Sequence, residues 1–226
     1  MIMATGKLET GKPEVPTREE MPLAYRLVEL LSRPFVRLLF RPRISGLEGV
    51  PAGGFVLAAN HLSGFDMWAL GYPLRTRWLR HMAKPQLFER RLLGPLVRIL
   101  GAFPADDDAV DTASRLARAG YGVVVMPEGA RRRADRVHRP HTGAARVALA
   151  AAVPLVPAGI QGTDGARRLR RWKVAYGLPI PLDDLRTAER QEAAQLATER
   201  LWSAIQTLER GLAQPEARPA SRSSAT

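Results

Sequence analysis

The sequence contains no cysteine. This absence excludes disulfide bonds, thiol nucleophiles and thiolate metal sites, and it fits a protein of the cytosol or one that faces it. The four histidines are not spaced as zinc ligands are, so we predict no metal site. Nothing in the sequence indicates a bound cofactor either.

Long apolar runs are also absent. No stretch reaches the ~20 apolar residues needed to span a bilayer. The first 20 residues are polar and include Pro13 and Pro16, unlike a secretory signal peptide. We therefore predict a mobile leader at residues 1–21, an amphipathic segment at 22–40, one domain at 41–210 and a disordered tail at 211–226.

Aromatic residues are few, at 6%, whereas basic residues are in excess. The chain has 34 Lys and Arg against 22 Asp and Glu, which gives a net charge of +12. Such an excess favours a polyanionic partner: nucleic acid, an anionic membrane surface or a phosphorylated substrate. Aromatic side chains are not interleaved with the basic ones, as nucleic-acid binding usually requires. A nucleic-acid-binding protein is therefore the less favoured alternative, and we expect no nucleic acid partner.

Short apolar runs alternate with amphipathic stretches along the chain. We predict strands at 55–59, 78–83, 123–126, 153–160 and 172–176, and helices at 67–74, 86–100, 109–119, 144–152 and 188–209. Pro154 and Pro157 place the fourth of these strands at an edge or in an irregular position. The alternation predicts a single α/β domain with a mixed, mostly parallel sheet flanked by helices.

The segment 22–40 has one narrow polar stripe on an otherwise apolar helix. The stripe consists of Arg26, Glu29, Arg33 and Arg37. Pro34 predicts a kink or a split into two helices. The pattern fits a helix packed deep against its own domain, and equally a helix in a membrane interface with its arginines towards lipid phosphates.

Two loops that follow predicted strands carry residues suited to chemistry. His61 ends the first strand and Asp66 follows five residues later, so a general base and the carboxylate that orients it are both at hand. A satisfied polar histidine beside a helix cap is the simpler interpretation. The second loop, Glu128–Arg133, is either a phosphate-binding loop or a surface turn in which Glu128 pairs with an arginine. Lys84 is a weaker candidate at another strand end.

These segments, in this order, resemble the lysophosphatidic acid acyltransferases, a family of membrane-associated glycerophospholipid acyltransferases. The family's first motif is matched by Asn60, His61 and Asp66, and its third by Pro127, Glu128, Gly129 and Arg131. Its apolar, proline-containing fourth motif is matched by residues 153–157, and the segments 83–88 and 142–146 also look familiar. The resemblance covers residues 41–182.

The resemblance implies an enzyme that moves an acyl group from acyl-CoA or acyl carrier protein to a lysophospholipid hydroxyl. His61 and Asp66 would be catalytic. The acceptor and its phosphate would be bound by Lys84, Glu128, Gly129, Arg131 and Arg132, and the acyl-donor side would be lined by Val153, Pro154, Val156 and Pro157. The protein would be peripheral, on the cytoplasmic face of a membrane, held there by the segment 22–40.

One position departs from the family pattern. Asp107 stands where the family has an arginine that helps to hold the acceptor's phosphate. This aspartate puts 1-acylglycerol-3-phosphate as the acceptor in doubt, and leaves open another lysolipid or alcohol, or a catalytically silent lipid-binding relative. The arginines at 131–133 and 167–171 are the residues that would compensate for it.

Overall fold

The computed structural model describes residues 21–132 and 139–214. The strands are β1 (Arg43–Ser45), β2 (Phe55–Ala59), β3 (Arg80–Ala83), β4 (Ala102–Pro104), β5 (Gly122–Val125), β6 (Leu155–Gln161) and β7 (Lys173–Tyr176). The α-helices are α1 (Leu23–Phe40), α2 (Asp66–Gly71), α3 (Leu93–Ile99), α4 (Ala109–Arg118), α5 (Gly143–Ala151) and α6 (Arg190–Ala213). Short 3₁₀ turns lie at Leu47–Gly49, Pro85–Leu87, Ala166–Arg168 and Asp183–Leu185.

The strands form one sheet in the order β1-β7-β6-β2-β5-β3-β4. The five strands from β6 to β4 are parallel to one another, while β7 runs antiparallel to β6 and β1 parallel to β7. The predicted mixed, mostly parallel α/β sheet is confirmed. Strands β2 and β5 are buried along their whole length, because helices cover both faces, and this is why they are continuous apolar runs.

Two apolar clusters lie on opposite faces of the sheet. On one face, alternate side chains of β2, β5 and β6 pack against α4, α5 and α6. On the other face, the intervening side chains pack against α2 and the inner side of α1. The sheet is therefore a rigid platform, and its strand ends hold the loops that follow them in fixed positions.

Helix α1 lies on the surface rather than deep in the domain. Val36 is its only buried residue, whereas Leu30, Leu31 and Leu38 are 63%, 65% and 76% exposed. The helix continues through Pro34, so the predicted split into two helices is wrong. In the described part of the chain, no helix combines the length and the apolar character needed to cross a membrane.

Strand β6 is interior, between β2 and β7, so its predicted edge position is wrong. Its proline is tolerated because Pro157 faces Gly177, just beyond the end of β7. There the Pro157 carbonyl accepts a hydrogen bond from the Gly177 N–H at 2.8 Å. The missing N–H therefore removes only a bond at the end of the ladder.

Other predicted boundaries also shift. The predicted helix at 86–100 is a 3₁₀ turn followed by the shorter α3, and β4 was not predicted as a strand. Helix α6 runs to Ala213, so residues 211–213 do not belong to a disordered tail. The rest of the predicted tail, from 215, and residues 1–20 of the predicted leader lie outside the described residues.

Candidate active site

Three adjacent strands bring the candidate site together at their carboxyl ends. Strand β2 lies between β5 and β6, parallel to both. The chain leaves β2 through Asn60 and His61, leaves β5 towards Glu128, and leaves β6 towards Thr163. Open α/β sheets hold ligands at this edge, so the topology places the His61 loop in the middle of the expected site.

Asn60 fastens the end of β2 to its neighbour. Its side chain is fully buried, donates to the Ile160 carbonyl at 2.9 Å and accepts from the Ile160 N–H at 2.7 Å. The amide thus continues the β2–β6 pairing by one more residue, through a side chain. It fixes the point from which the His61 loop departs.

The His61 ring is held by a fully buried carboxylate. The distance between His61 Nδ1 and Asp66 Oδ2 is 2.7 Å. The same oxygen accepts from the N–H groups of Leu62 and Ser63, at 2.7 and 2.9 Å, which curl the loop around it. The other oxygen accepts from the Thr163 hydroxyl at 2.5 Å. An acceptor at Nδ1 selects the tautomer that carries its proton there, so Nε2 is left as the base.

Asp66 is the first residue of α2, and its partners lie in the loop before the helix. The structure therefore brings together the two residues that the sequence singled out. It also adds Thr163, which the sequence analysis missed. Thr163 lies 97 positions from Asp66, and only the pairing of β6 with β2 makes them neighbours.

The second loop contains a buried ion pair, which engages Glu128 and Arg132. Glu128 is 5% exposed, and both its oxygens accept from Arg132 Nε at 2.9 Å. One of them also accepts from the His61 N–H at 3.2 Å. The predicted pairing of Glu128 with an arginine is present, but Glu128 is buried and not part of a surface turn. Glu128 and Arg132 bind each other and the His61 backbone.

The other predicted acceptor-binding residues are more open. Gly129 has φ +66°, and a Cβ there would lie 3.0 Å from the ring of His141, so the turn requires glycine. Arg131 is exposed directly beside the His61 loop, because the next residue donates its N–H to the His61 carbonyl at 2.7 Å. Lys84 is exposed at the end of β3, two strands from β2.

The four predicted acyl-donor residues do not lie beside His61. Val156 and Pro157 are buried inside β6, and Val153 and Pro154 precede that strand at its far end. Val156 is in register with Leu57, four residues before His61, which is roughly 13 Å at the rise of a strand. The structure therefore places Val156 and Pro157 in the core, and it places Val153 and Pro154 at the end of the strand that is remote from the site.

An open pocket of about 430 Å³ begins at the residue after His61. Its lining comprises Leu62, Ile160, Gln161, Gly162, Asp164, Arg170, Arg171 and Glu209. Two arginines of the basic cluster at 167–171 thus face a space next to the candidate base. Among the described residues, no group of three or more His, Asp or Glu side chains is placed to hold a metal ion.

The chain is similar in sequence to two bacterial acyltransferases. The 1-acyl-sn-glycerol-3-phosphate acyltransferase of Bacillus subtilis (strain 168) is 29% identical over 181 residues, which cover 76% of this chain and 90% of that protein. The enzyme of the same name from Streptococcus pneumoniae is 24% identical, over 69% of this chain and 60% of the relative.

Among solved structures, the chain is similar to the 1-acyl-sn-glycerophosphate (LPA) acyltransferase PlsC from Thermotoga maritima. The TM-score is 0.63 with 21% identity, over 85% of this chain and 83% of that one, which supports the fold. The acyltransferase family model matches residues 41–161, the segment that contains the His61 and Glu128 loops. Because this match covers more than half of the sequence, the chain belongs to the acyltransferase family.

Proposed function

We propose that the chain transfers an acyl group from acyl-CoA or acyl carrier protein to the free hydroxyl of 1-acylglycerol-3-phosphate, giving phosphatidic acid. The observation that carries the proposal is the 2.7 Å contact between His61 Nδ1 and the buried Asp66 carboxylate. The acceptor is suggested by the relatives in Bacillus and Streptococcus, which are named for it.

In this mechanism His61 Nε2 takes the proton of the acceptor hydroxyl while its oxygen attacks the thioester carbonyl. The tetrahedral intermediate collapses by breaking the carbon–sulfur bond, and the imidazolium returns its proton to the departing thiolate. Asp66 keeps the ring oriented and stabilises the imidazolium between these steps. Since the chain has no cysteine and no recognisable motif for a nucleophilic serine, we propose direct transfer without an acyl-enzyme.

The phosphate of this acceptor is carried on the carbon next to the one that bears the hydroxyl, so its cationic partners must lie close to His61. Arg131 meets this condition, as do Arg170 and Arg171 in the adjoining pocket. Lys84 lies farther along the same edge. These arginines replace Glu128 and Arg132 as the proposed contacts to the phosphate.

Other acceptors must be tested because Asp107 stands where an arginine that binds the acceptor's phosphate is expected. It follows the edge strand β4, three strand spacings or roughly 14 Å from β2. At that distance an exposed aspartate weakens a phosphate site near His61 only modestly, because solvent screens the repulsion. A neutral lysolipid is the second candidate acceptor, since it would not be repelled at all.

The test is product identification by mass spectrometry. Purified protein is mixed with acyl-CoA and an equimolar panel of lysolipids that includes 1-acylglycerol-3-phosphate. We expect phosphatidic acid as the main product, and its loss in the His61→Ala variant. A different main product would replace the proposed acceptor, and equal turnover by His61→Ala would remove His61 as the base.

We also propose that α1 holds the protein at the cytoplasmic face of a membrane as a peripheral protein. Its outward side chains are apolar, and arginines flank them, as in helices that lie in a lipid interface. The test is co-sedimentation with anionic vesicles. Leu38→Asp should reduce the bound fraction severalfold, whereas the same change at Leu178, an equally exposed leucine outside α1, should not. Equal effects would argue against the interfacial helix.

A further inference from the structure

Both backbone polar groups of His61 are held by the loop after β5. The His61 N–H donates to Glu128 Oε1 at 3.2 Å, and the His61 carbonyl accepts from the Arg132 N–H at 2.7 Å. The ring of His61 is oriented by Asp66, but its main chain is therefore placed by a second and separate set of contacts. Glu128 and Arg132 therefore contribute to the placement of the base.

The Arg132 guanidinium connects this loop to the C-terminal helix. Nε bonds both oxygens of Glu128 at 2.9 Å, while Nη1 and Nη2 bond the two oxygens of Glu209, in α6, at 2.6 and 3.0 Å. The guanidinium also lies 5.5 Å from the ring of Trp202, on the same helix. Burial disfavours its charged form, but the hydrogen bonds and charges of Glu209 and Glu128 outweigh burial and raise the pKa of Arg132.

Each of the three guanidinium nitrogens thus donates to a protein carboxylate. Charge-assisted, bidentate pairs are strong and geometrically specific, so Arg132 has little capacity left for a substrate phosphate. Glu209 lies 48 positions beyond the end of the family match at residue 161. The helix that completes the support of the base is thus outside the segment that defines the family.

We propose that Arg132 and Glu209 are positioning residues for His61, and that α6 is through them a structural part of the active site. Glu209 bonds Arg132, and Arg132 bonds Glu128. Arg132 and Glu128 both bond the main chain of His61. The kinetic readout rests on the acyltransferase function proposed above, whereas the contacts themselves can be probed without turnover.

The variant that tests this inference is Glu209→Gln, which keeps the shape of the side chain and removes its charge. We expect kcat to fall by about tenfold, and Arg132→Met to lower it by roughly a hundredfold, because a misplaced base loses rate steeply with distance. For Glu209→Gln, KM for acyl-CoA should stay within about twofold, and KM for the phosphorylated acceptor should not rise, because Glu209 lines the pocket and its charge would no longer repel a phosphate there. If Arg132 instead bound the substrate phosphate, KM for the phosphorylated acceptor would rise while KM for acyl-CoA stayed the same.

The chain offers a matched control on the same helix. Arg200 of α6 bonds both oxygens of Asp184 at 2.8 and 2.6 Å, in an exposed pair that does not contact the His61 loop. Asp184→Asn therefore removes the same kind of bidentate pair from α6 without touching the proposed connection, and it should leave kcat unchanged. Equal effects of Asp184→Asn and Glu209→Gln would overturn the inference.

Hydrogen exchange of the peptide that contains residues 60–66 separates this inference from the proposed function. Glu209→Gln should speed exchange there relative to both the wild type and Asp184→Asn, whether or not the protein turns over the substrates tested. Exchange that is identical in all three proteins would overturn the positioning role. Faster exchange in Glu209→Gln, together with a wild type that acylates no lysolipid, would keep the positioning role and refute the proposed function instead.

Discussion

Substitution of Asp66 by asparagine separates the charge of the proposed dyad from its shape. The amide oxygen, placed where Oδ2 now lies, would still accept from the N–H groups of Leu62 and Ser63 and from His61 Nδ1. The amide nitrogen would then face Thr163, whose hydroxyl can accept as well as donate. The loop therefore keeps its hydrogen bonds, and the carboxylate charge is what is lost.

The expected loss of rate follows from that charge. With Nδ1 and Oδ2 2.7 Å apart, the charge centres of an imidazolium and the carboxylate would be about 4 Å apart, where an effective dielectric near 20 gives roughly 4 kcal/mol. This interaction is present when the ring is protonated in the transition state and absent when it is neutral. A change of that size corresponds to about three powers of ten in kcat. KM for both substrates should change little.

The assay is release of free CoA thiol from acyl-CoA in the presence of 1-acylglycerol-3-phosphate, with urea unfolding as the check on the fold. Asp66→Ala is the contrasting variant, because it leaves the Leu62 and Ser63 N–H groups without their acceptor and should cost about 2–6 kcal/mol of stability. A folded Asp66→Asn protein with kcat within tenfold of the wild type would refute the role of Asp66.

Two further predictions concern a buried histidine and the pocket lined by Arg170 and Arg171. Burial, with a smaller contribution from Arg80, lowers the pKa of His81 from 6.5 to about 4. As the pH falls, the unfolded chain takes up this proton at a higher pH than the folded protein does. The free energy of unfolding therefore falls as the pH drops from 6.5 towards 4, by about 2 kcal/mol between pH 7 and pH 5. His81→Gln should lack this part of the loss in urea titrations, and an unchanged pH dependence would contradict the reasoning. Replacing Arg170 and Arg171 by alanine should raise KM for the phosphorylated acceptor about tenfold and spare KM for acyl-CoA. The control is the same change at Arg167 and Arg168, which do not line the pocket. Equal effects of the two double variants would show that overall positive charge, and not binding in the pocket, sets KM.

The fold class and the His61–Asp66 pair could be predicted because their signals are local. Buried parallel strands are short apolar runs bounded by turns, and the polar residues that follow them meet at one edge of the sheet. His61 and Asp66 are five residues apart, so a single turn brings them into contact. The sequence therefore contains most of what is needed to find the base and its partner.

The rest of the site depends on register and on distant contacts, which a single sequence does not reveal. Thr163 reaches Asp66 across 97 positions, and Glu209 reaches Arg132 across 77. The residues at 153–157 resemble a motif, but the register of β6 against β2 places them before or inside the strand and away from its carboxyl end. The motif thus predicts where a strand lies, but whether its residues reach the site depends on how β6 pairs with β2.

The position of Glu128 changes which residues decide acceptor choice. A carboxylate that faced the acceptor would repel a phosphate, but Glu128 is buried beneath the His61 main chain, and its charge is met by Arg132. Among the described residues, the cations open to a ligand near the base include Arg131 on one side and the Arg170–Arg171 pair on the other. Because Asp107 lies at the far strand of the same edge, it acts only through a screened interaction. Selectivity for a phosphorylated acceptor should therefore respond to these arginines far more than to a change at Asp107.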